Sequence, residues 1–136
     1  RKRPFHTIIP GFMQRGDEHI GFGIMGGMNQ PLAHAQFVSN VVDYGMNIQA
    51  AMEEPRFTVH PQLGCHIVIE NRVGQDSLDA LTAKGHLLEV RGEYTTRMGR
   101  GQAVLYDAKT GVKYGASDPR ADGAAVPESP KGLLGK

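Results

Sequence analysis

The apolar positions of this chain change period several times, and each change marks an element. Thr7 to Met13 is apolar and β-branched near its start, Arg15-Gly16-Asp17-Glu18 supplies turn residues, and His19 to Met25 is apolar again. That order predicts a β-hairpin whose second strand ends at Met25-Gly26-Gly27-Met28. From Pro31 the period becomes helical: Ala33, Phe37, Val38, Val41 and Val42 recur on one face, with Pro31 suited to a first turn and Gly45 to a stop. Asn47 is placed to cap a short second helix through Ile48, Ala51 and Met52, which Pro55 ends.

Further on, Arg56–His60 and Cys65–Glu70 alternate, as strands buried on one face do, and are expected to form a second hairpin or a sheet edge. Asp76 or Ser77 can cap a helix running through Leu78 and Leu81 to Gly85, and Leu87 to Val90 resumes as a strand. Gly101–Tyr106 and Val112–Ala116 flank Asp107-Ala108-Lys109-Thr110-Gly111, a third hairpin with a loop of turn-forming residues. Hairpins make the strands mostly antiparallel, so the expected class is α+β, not a doubly wound nucleotide-binding sheet. Residues 1–120 form the expected domain. After Asp118-Pro119-Arg120 the chain turns to Ala, Gly, Pro, Ser and Lys without periodicity, and residues 121–136 are expected to be a loose tail.

Composition narrows the partners. The 136 residues are enough for one core, and 15 basic against 14 acidic side chains call for neither nucleic acid nor a membrane surface. No apolar run approaches the ~20 residues that cross a bilayer. Cys65 is the single cysteine, which excludes an internal disulfide and leaves the compartment open. The chain opens at Arg1 instead of methionine, so it is expected to come from a longer polypeptide.

Candidate chemistry concentrates at Gly26-Gly27. Two consecutive N–H groups at the mouth of a strand can point together at one anionic oxygen, as an oxyanion hole does; the plainer alternative is a turn into the following helix. The glycine spacing fits neither a dinucleotide fingerprint nor a P-loop. His6, His19, His34, His60, His66 and His86 lack the paired spacing of a zinc site, and no metal or other cofactor is expected. Ser39, Ser77, Ser117 and Ser129 stand in helix, cap, turn and tail contexts, none of them a nucleophile elbow. His6-Thr7 could offer an imidazole and a hydroxyl to a ligand carboxylate, or simply begin a strand. Asp118 and Arg120 read as an Asp-Pro turn locked by an arginine contact.

Six segments in order resemble the γ-glutamyltranspeptidase family: Arg3-Pro4-Phe5-His6-Thr7-Ile8-Ile9-Pro10, Gly23-Ile24-Met25-Gly26-Gly27, Asp43-Tyr44-Gly45-Met46-Asn47, Ala51 to Phe57, Lys84-Gly85-His86, and Tyr114 to Arg120. The resemblance implies part of a four-layer αββα sandwich of the N-terminal-nucleophile hydrolases. It also implies that this chain is the C-terminal portion of the small subunit, with an oxyanion hole at Gly26 and Gly27. Better-known members carry two serines where His6 and Thr7 stand and use them to hold the donor's α-carboxylate. By resemblance His6 and Thr7 line that pocket, in a less-studied branch of the family. The implied partners are the upstream segment, the large subunit, a γ-glutamyl or related amide, and a second copy through exposed sheet surface. The family's nucleophilic threonine belongs upstream of Arg1, and Thr7 has no free α-amine, so the isolated chain is expected to be inactive. The alternative expectation is a family-related structural or binding module without catalysis.

Overall fold

The computed structural model describes residues 1–4, 7–60, 64 and 66–127; His6, Cys65 and Ser129 lie outside the described residues. Two sheets organise the molecule. The larger has the order β1-β2-β6-β7, from β1 (Gly11–Arg15), β2 (Glu18–Met25), β6 (Arg100–Asp107) and β7 (Lys113–Ser117), all antiparallel. The smaller has the order β3-β4-β5, from β3 (Phe57–Val59), β4 (His66–Glu70) and β5 (Leu87–Arg91). Here β3 and β4 are antiparallel, whereas β4 and β5 are parallel because helix α3 (Gln75–Ala83) carries the chain back between them. The mixed, mostly antiparallel α+β class is the one the hairpins predict.

Helices α1 (Gln30–Val42) and α2 (Ile48–Glu53) cover one face of the larger sheet. Ile20 and Ile24 of β2 and Ala103 of β6 meet Ala33, Phe37, Ile48, Ala51 and Met52 there, forming the core. Asn47 caps α2 as expected, its Oδ1 accepting the Ala50 N–H at 2.9 Å. Four local expectations shift. Val42 is exposed, since it lies about 100° around the helix from Val41, which does pack on the core. The first strand begins at Gly11 instead of Thr7, and α3 starts from Gly74 with no side-chain cap, Asp76 falling inside its first turn. In β3 the apolar Phe57 and Val59 face outward while Thr58 is buried.

The opposite face of the larger sheet is uncovered over much of its area. Phe12 is 69% exposed and Val104 is 53% exposed, and the rings of Phe12, His19 and Tyr106 run across three strands at centroid spacings of 6.3 and 6.1 Å. Residues 121–127 have no regular structure, and Ala125 passes close to Gly115 of β7.

A buried charge cluster joins the two sheets. The Arg120 guanidinium donates to Glu70 at 2.8 Å (Nε to Oε1) and 2.5 Å (Nη2 to Oε2), and to Asp118 at 3.1 Å. Arg56 donates to the other Asp118 oxygen at 2.7 Å and to the Met52 carbonyl at 2.8 Å. The Gly101 N–H donates to Asp118 at 2.9 Å and the Arg56 N–H to Glu70 at 3.0 Å. All four charged residues are buried, two of each sign. Burial alone would raise the Glu70 pKa, but hydrogen bonds from Arg120 and the Arg56 N–H, with the charges of Arg120 and Arg72, hold it below the ordinary carboxylate range.

Candidate active site

The glycine pair sits where β2 ends. Register places Met25 beside Arg100, after which Gly26 leaves the sheet with φ 151° and Gly27 opens a short 3-10 turn, Gly27–Asn29, with φ 58°. Both angles belong to glycine. The carbonyls of the pair are engaged, Gly26 accepting the Asn29 N–H at 3.1 Å and Gly27 accepting the Gln30 N–H. Among the described residues, neither the Gly26 nor the Gly27 N–H donates to a protein acceptor. Two adjacent amides thus remain available at the rim of a cavity.

Neighbouring elements fix the loop from three sides. Gly99, with φ 82°, crosses so close behind it that a Cβ there would collide with the Met25 carbonyl oxygen. Strand β1 runs out opposite Phe22, and the Ile24 N–H donates instead to His34 Nε2 of α1 at 2.9 Å. Partial burial holds the His34 pKa below the ordinary imidazole value, and the neutral ring is the form whose Nε2 lone pair can accept that N–H. Gln30, buried in the first turn of α1, donates through Nε2 to the Thr7 carbonyl at 2.8 Å.

Thr7, Gly26 and Gly27 therefore line one cavity of about 550 Å³, together with Ile8, Ile9, Gln30 and Arg100. Of the four residues singled out from sequence, three are brought together here; the fourth, His6, lies outside the described residues. Sequence reasoning missed Gln30 and His34. Their only local signal was position, since a glutamine and a histidine four residues apart share the face of a helix starting beside a glycine loop.

The family model described as Gamma-glutamyltranspeptidase matches residues 1–128 of the chain. The chain belongs to the γ-glutamyltranspeptidase family. Within it, the chain is 37% identical over 130 residues to the glutathione hydrolase-like YwrD proenzyme of Bacillus subtilis, an alignment covering 93% of this chain and 25% of that protein. It is 30% identical over 129 residues to the oxamate amidohydrolase proenzyme of Klebsiella pneumoniae, covering 92% of this chain and 24% of the relative. Among solved structures, the cephalosporin acylase of Bacillus halodurans superposes with a TM-score of 0.81 at 39% identity, over 92% of this chain and 23% of that one. The chain spans about a quarter of the length of each of these relatives. Its fold is that of the corresponding part of the γ-glutamyltranspeptidase-type N-terminal-nucleophile hydrolases, mixed α+β with mostly antiparallel strands.

Proposed function

We propose that this chain is the C-terminal portion of the small subunit of an enzyme that hydrolyses or transfers γ-glutamyl or related amides, and that Gly26 and Gly27 form its oxyanion hole. The observation that carries the reading is the pair of adjacent backbone N–H groups without an acceptor among the described residues, on the wall of a cavity that Thr7 shares. Amide cleavage needs such donors. When an N-terminal threonine hydroxyl attacks the amide carbon, the carbonyl electron pair moves onto oxygen, and two preorganised amides stabilise that charge. As the oxygen re-forms its double bond, the carbon–nitrogen bond breaks and the amine leaves with the proton taken from the hydroxyl. Water or a second amine then attacks the acyl ester.

In this reading Thr7 and His6 line the donor side, with Gln30 holding the Thr7 main chain in place. The attacking threonine is supplied by another part of the mature protein, so the isolated chain does not turn over substrate. The uncovered sheet face bearing Phe12, Val104 and Tyr106 is the surface on which the remainder of a sandwich, including the large subunit, would stack.

The test is made in the full-length protein. A Cβ at Gly27 meets no atom within 4 Å, so Gly27→Leu projects into open space while straining the positive φ. Turnover should fall about a hundredfold or more, the scale of losing one oxyanion donor. Unchanged turnover would remove the glycine pair from the mechanism, and a mature protein in which no chain begins with threonine would remove the mechanism itself.

A further inference from the structure

Strand β1 stops short of the end of its partner. The register that pairs Arg15 with Glu18 and Gly11 with Phe22, continued toward the N-terminus, would set Ile9 opposite Ile24 and Thr7 opposite Gly26. The chain does not follow it. Thr7 to Pro10 form no strand and make one wall of the cavity of about 550 Å³, with Phe22 to Gly27 on the other wall. Paired strands lie about 4.8 Å apart, so a completed ladder would leave no room there for a substrate.

Main-chain directions fix what the completed ladder would consume. The Asp118 N–H donates to the Gly101 carbonyl at 3.1 Å, so Gly101, which lies opposite Ile24, turns its peptide groups toward β7. In an antiparallel sheet both groups of a residue point the same way, and alternate residues share a side. Ile24 therefore turns its groups toward β1, and Gly26 would do the same if the strand continued. The Ile24 N–H would then donate to the Ile9 carbonyl and the Gly26 N–H to the Thr7 carbonyl. One of the two glycine amides would be spent inside the protein.

Two side chains of α1 occupy these places instead. His34 Nε2 accepts the Ile24 N–H at 2.9 Å, and Gln30 Nε2 donates to the Thr7 carbonyl at 2.8 Å. They stand four positions apart on one face of the helix, and between them they take the donor of one rung and the acceptor of the next. We propose that Gln30 and His34 act as a splint, positioning residues that hold the end of β1 off β2 and so keep the cavity open and the Gly26 N–H free for the substrate oxygen. The inference rests on the amide-cleaving reading above. Neither side chain is assigned a chemical step. Gln30 acts through the Thr7 carbonyl, the competing acceptor, and His34 through the Ile24 N–H, the donor of the neighbouring rung.

The experiment compares wild type, Gln30→Leu, His34→Leu and the double variant of the full-length protein. Amide hydrogen exchange and release of p-nitroaniline from its γ-glutamyl and glutaryl amides are the readouts. His34→Leu alone should lower the protection of Ile24, since Gln30 still holds Thr7 away. Adding Gln30→Leu should restore that protection and slow exchange at Gly26, because both rungs can then form. The closed form does not bind substrate, so KM should rise about tenfold in the double variant. Saturating substrate holds the cleft open, so kcat should stay within about twofold of wild type. Protection that falls further from the single to the double variant, an unchanged KM, or a loss confined to kcat would reduce the pair to packing residues and overturn the splint while leaving amide cleavage standing. Should the double variant fail to fold, Gln30→Leu alone decides: slower exchange at Gly26 upholds the splint, and unchanged or faster exchange overturns it. A wild-type protein that releases p-nitroaniline from neither amide overturns the amide-cleaving reading and the splint with it.

Discussion

The charge cluster at Arg56, Glu70, Asp118 and Arg120 and the loop at Gly26 to Asn29 lie at the same end of the larger sheet, and they treat polar groups in opposite ways. In the cluster every charged side chain is buried and each oxygen of Glu70 and Asp118 accepts at least one hydrogen bond from the protein. In the loop two main-chain amides and one buried side-chain amide have no partner among the described residues. The first arrangement is closed and holds the sheets together. The second is open on the side where Gly26 and Gly27 line a cavity, and chemistry is proposed to occur there. They are linked through Met98, whose carbonyl accepts from Arg56 at 3.3 Å and whose neighbour Gly99 supports the loop from behind.

Breaking the closed region should have the larger effect on stability. Arg120→Ala leaves Glu70 and Asp118 buried without their shared fork, and unfolding free energy should fall by about 3–5 kcal/mol, a large part of a domain's total. Arg120→Lys should recover only part of that, because one ammonium cannot reproduce the five hydrogen bonds that the guanidinium donates to Glu70, Asp118 and the Met52 and Glu54 carbonyls. Denaturant titration reads both. A loss under about 1 kcal/mol for Arg120→Ala would mean that the two sheets are joined by packing alone.

Acid attacks the same region next. The Glu70 pKa is lower folded than unfolded, so its contribution is fully present above the ordinary carboxylate value of about 4.3 and is lost as pH falls through the folded value. Stability should therefore decline below pH 4 in wild type, and Glu70→Gln, already weaker at neutral pH, should decline less steeply. Parallel acid profiles would assign the decline to other carboxylates.

The open region was the more legible one in sequence. Gly26-Gly27 at a strand end, Pro31 and the apolar stripe of α1 are contiguous and periodic, and so are the Asn47 cap and the three hairpins; local rules find such features. The Asp118–Arg120 turn was visible too, as a short-range lock. What could not be read was that the lock extends to Glu70, 50 positions away, and to Arg56, 62 positions from Asp118. Glu70 ends an alternating strand and looks like any polar terminus until the second sheet is folded against it. Thr58 and its outward-facing neighbours misled for the same reason: alternation gives a period, and the partner surface decides which phase is buried. The Asn29 orphan has no sequence signature, since an unsatisfied group is defined by what surrounds it.

A smaller effect should come from His34. Its pKa is depressed in the folded protein, so the Ile24 contact is present above the ordinary imidazole value of about 6.5 and lost as pH falls through the folded one. Protonation removes the Nε2 acceptor and leaves the Ile24 N–H unpaired just before the glycine loop, a hydrogen bond worth about 0.5–1.5 kcal/mol. His34→Gln can still accept through its side-chain oxygen but does not titrate. Protection of the Ile24 amide relative to its intrinsic exchange rate should fall from pH 7 to pH 5 in wild type, and the variant should not show it.

The smallest expected change in stability is the most discriminating for the contrast between the regions. Asn29→Ala deletes a buried side chain, which in the charge cluster would be severe. Here the deleted polar atoms have no partners to strand among the described residues, so the loss should reflect only a few atoms of packing and stay within about 1 kcal/mol. A cost of 2 kcal/mol or more would show that the Asn29 amide is satisfied in the folded protein after all, and the loop would then be as closed as the cluster behind it.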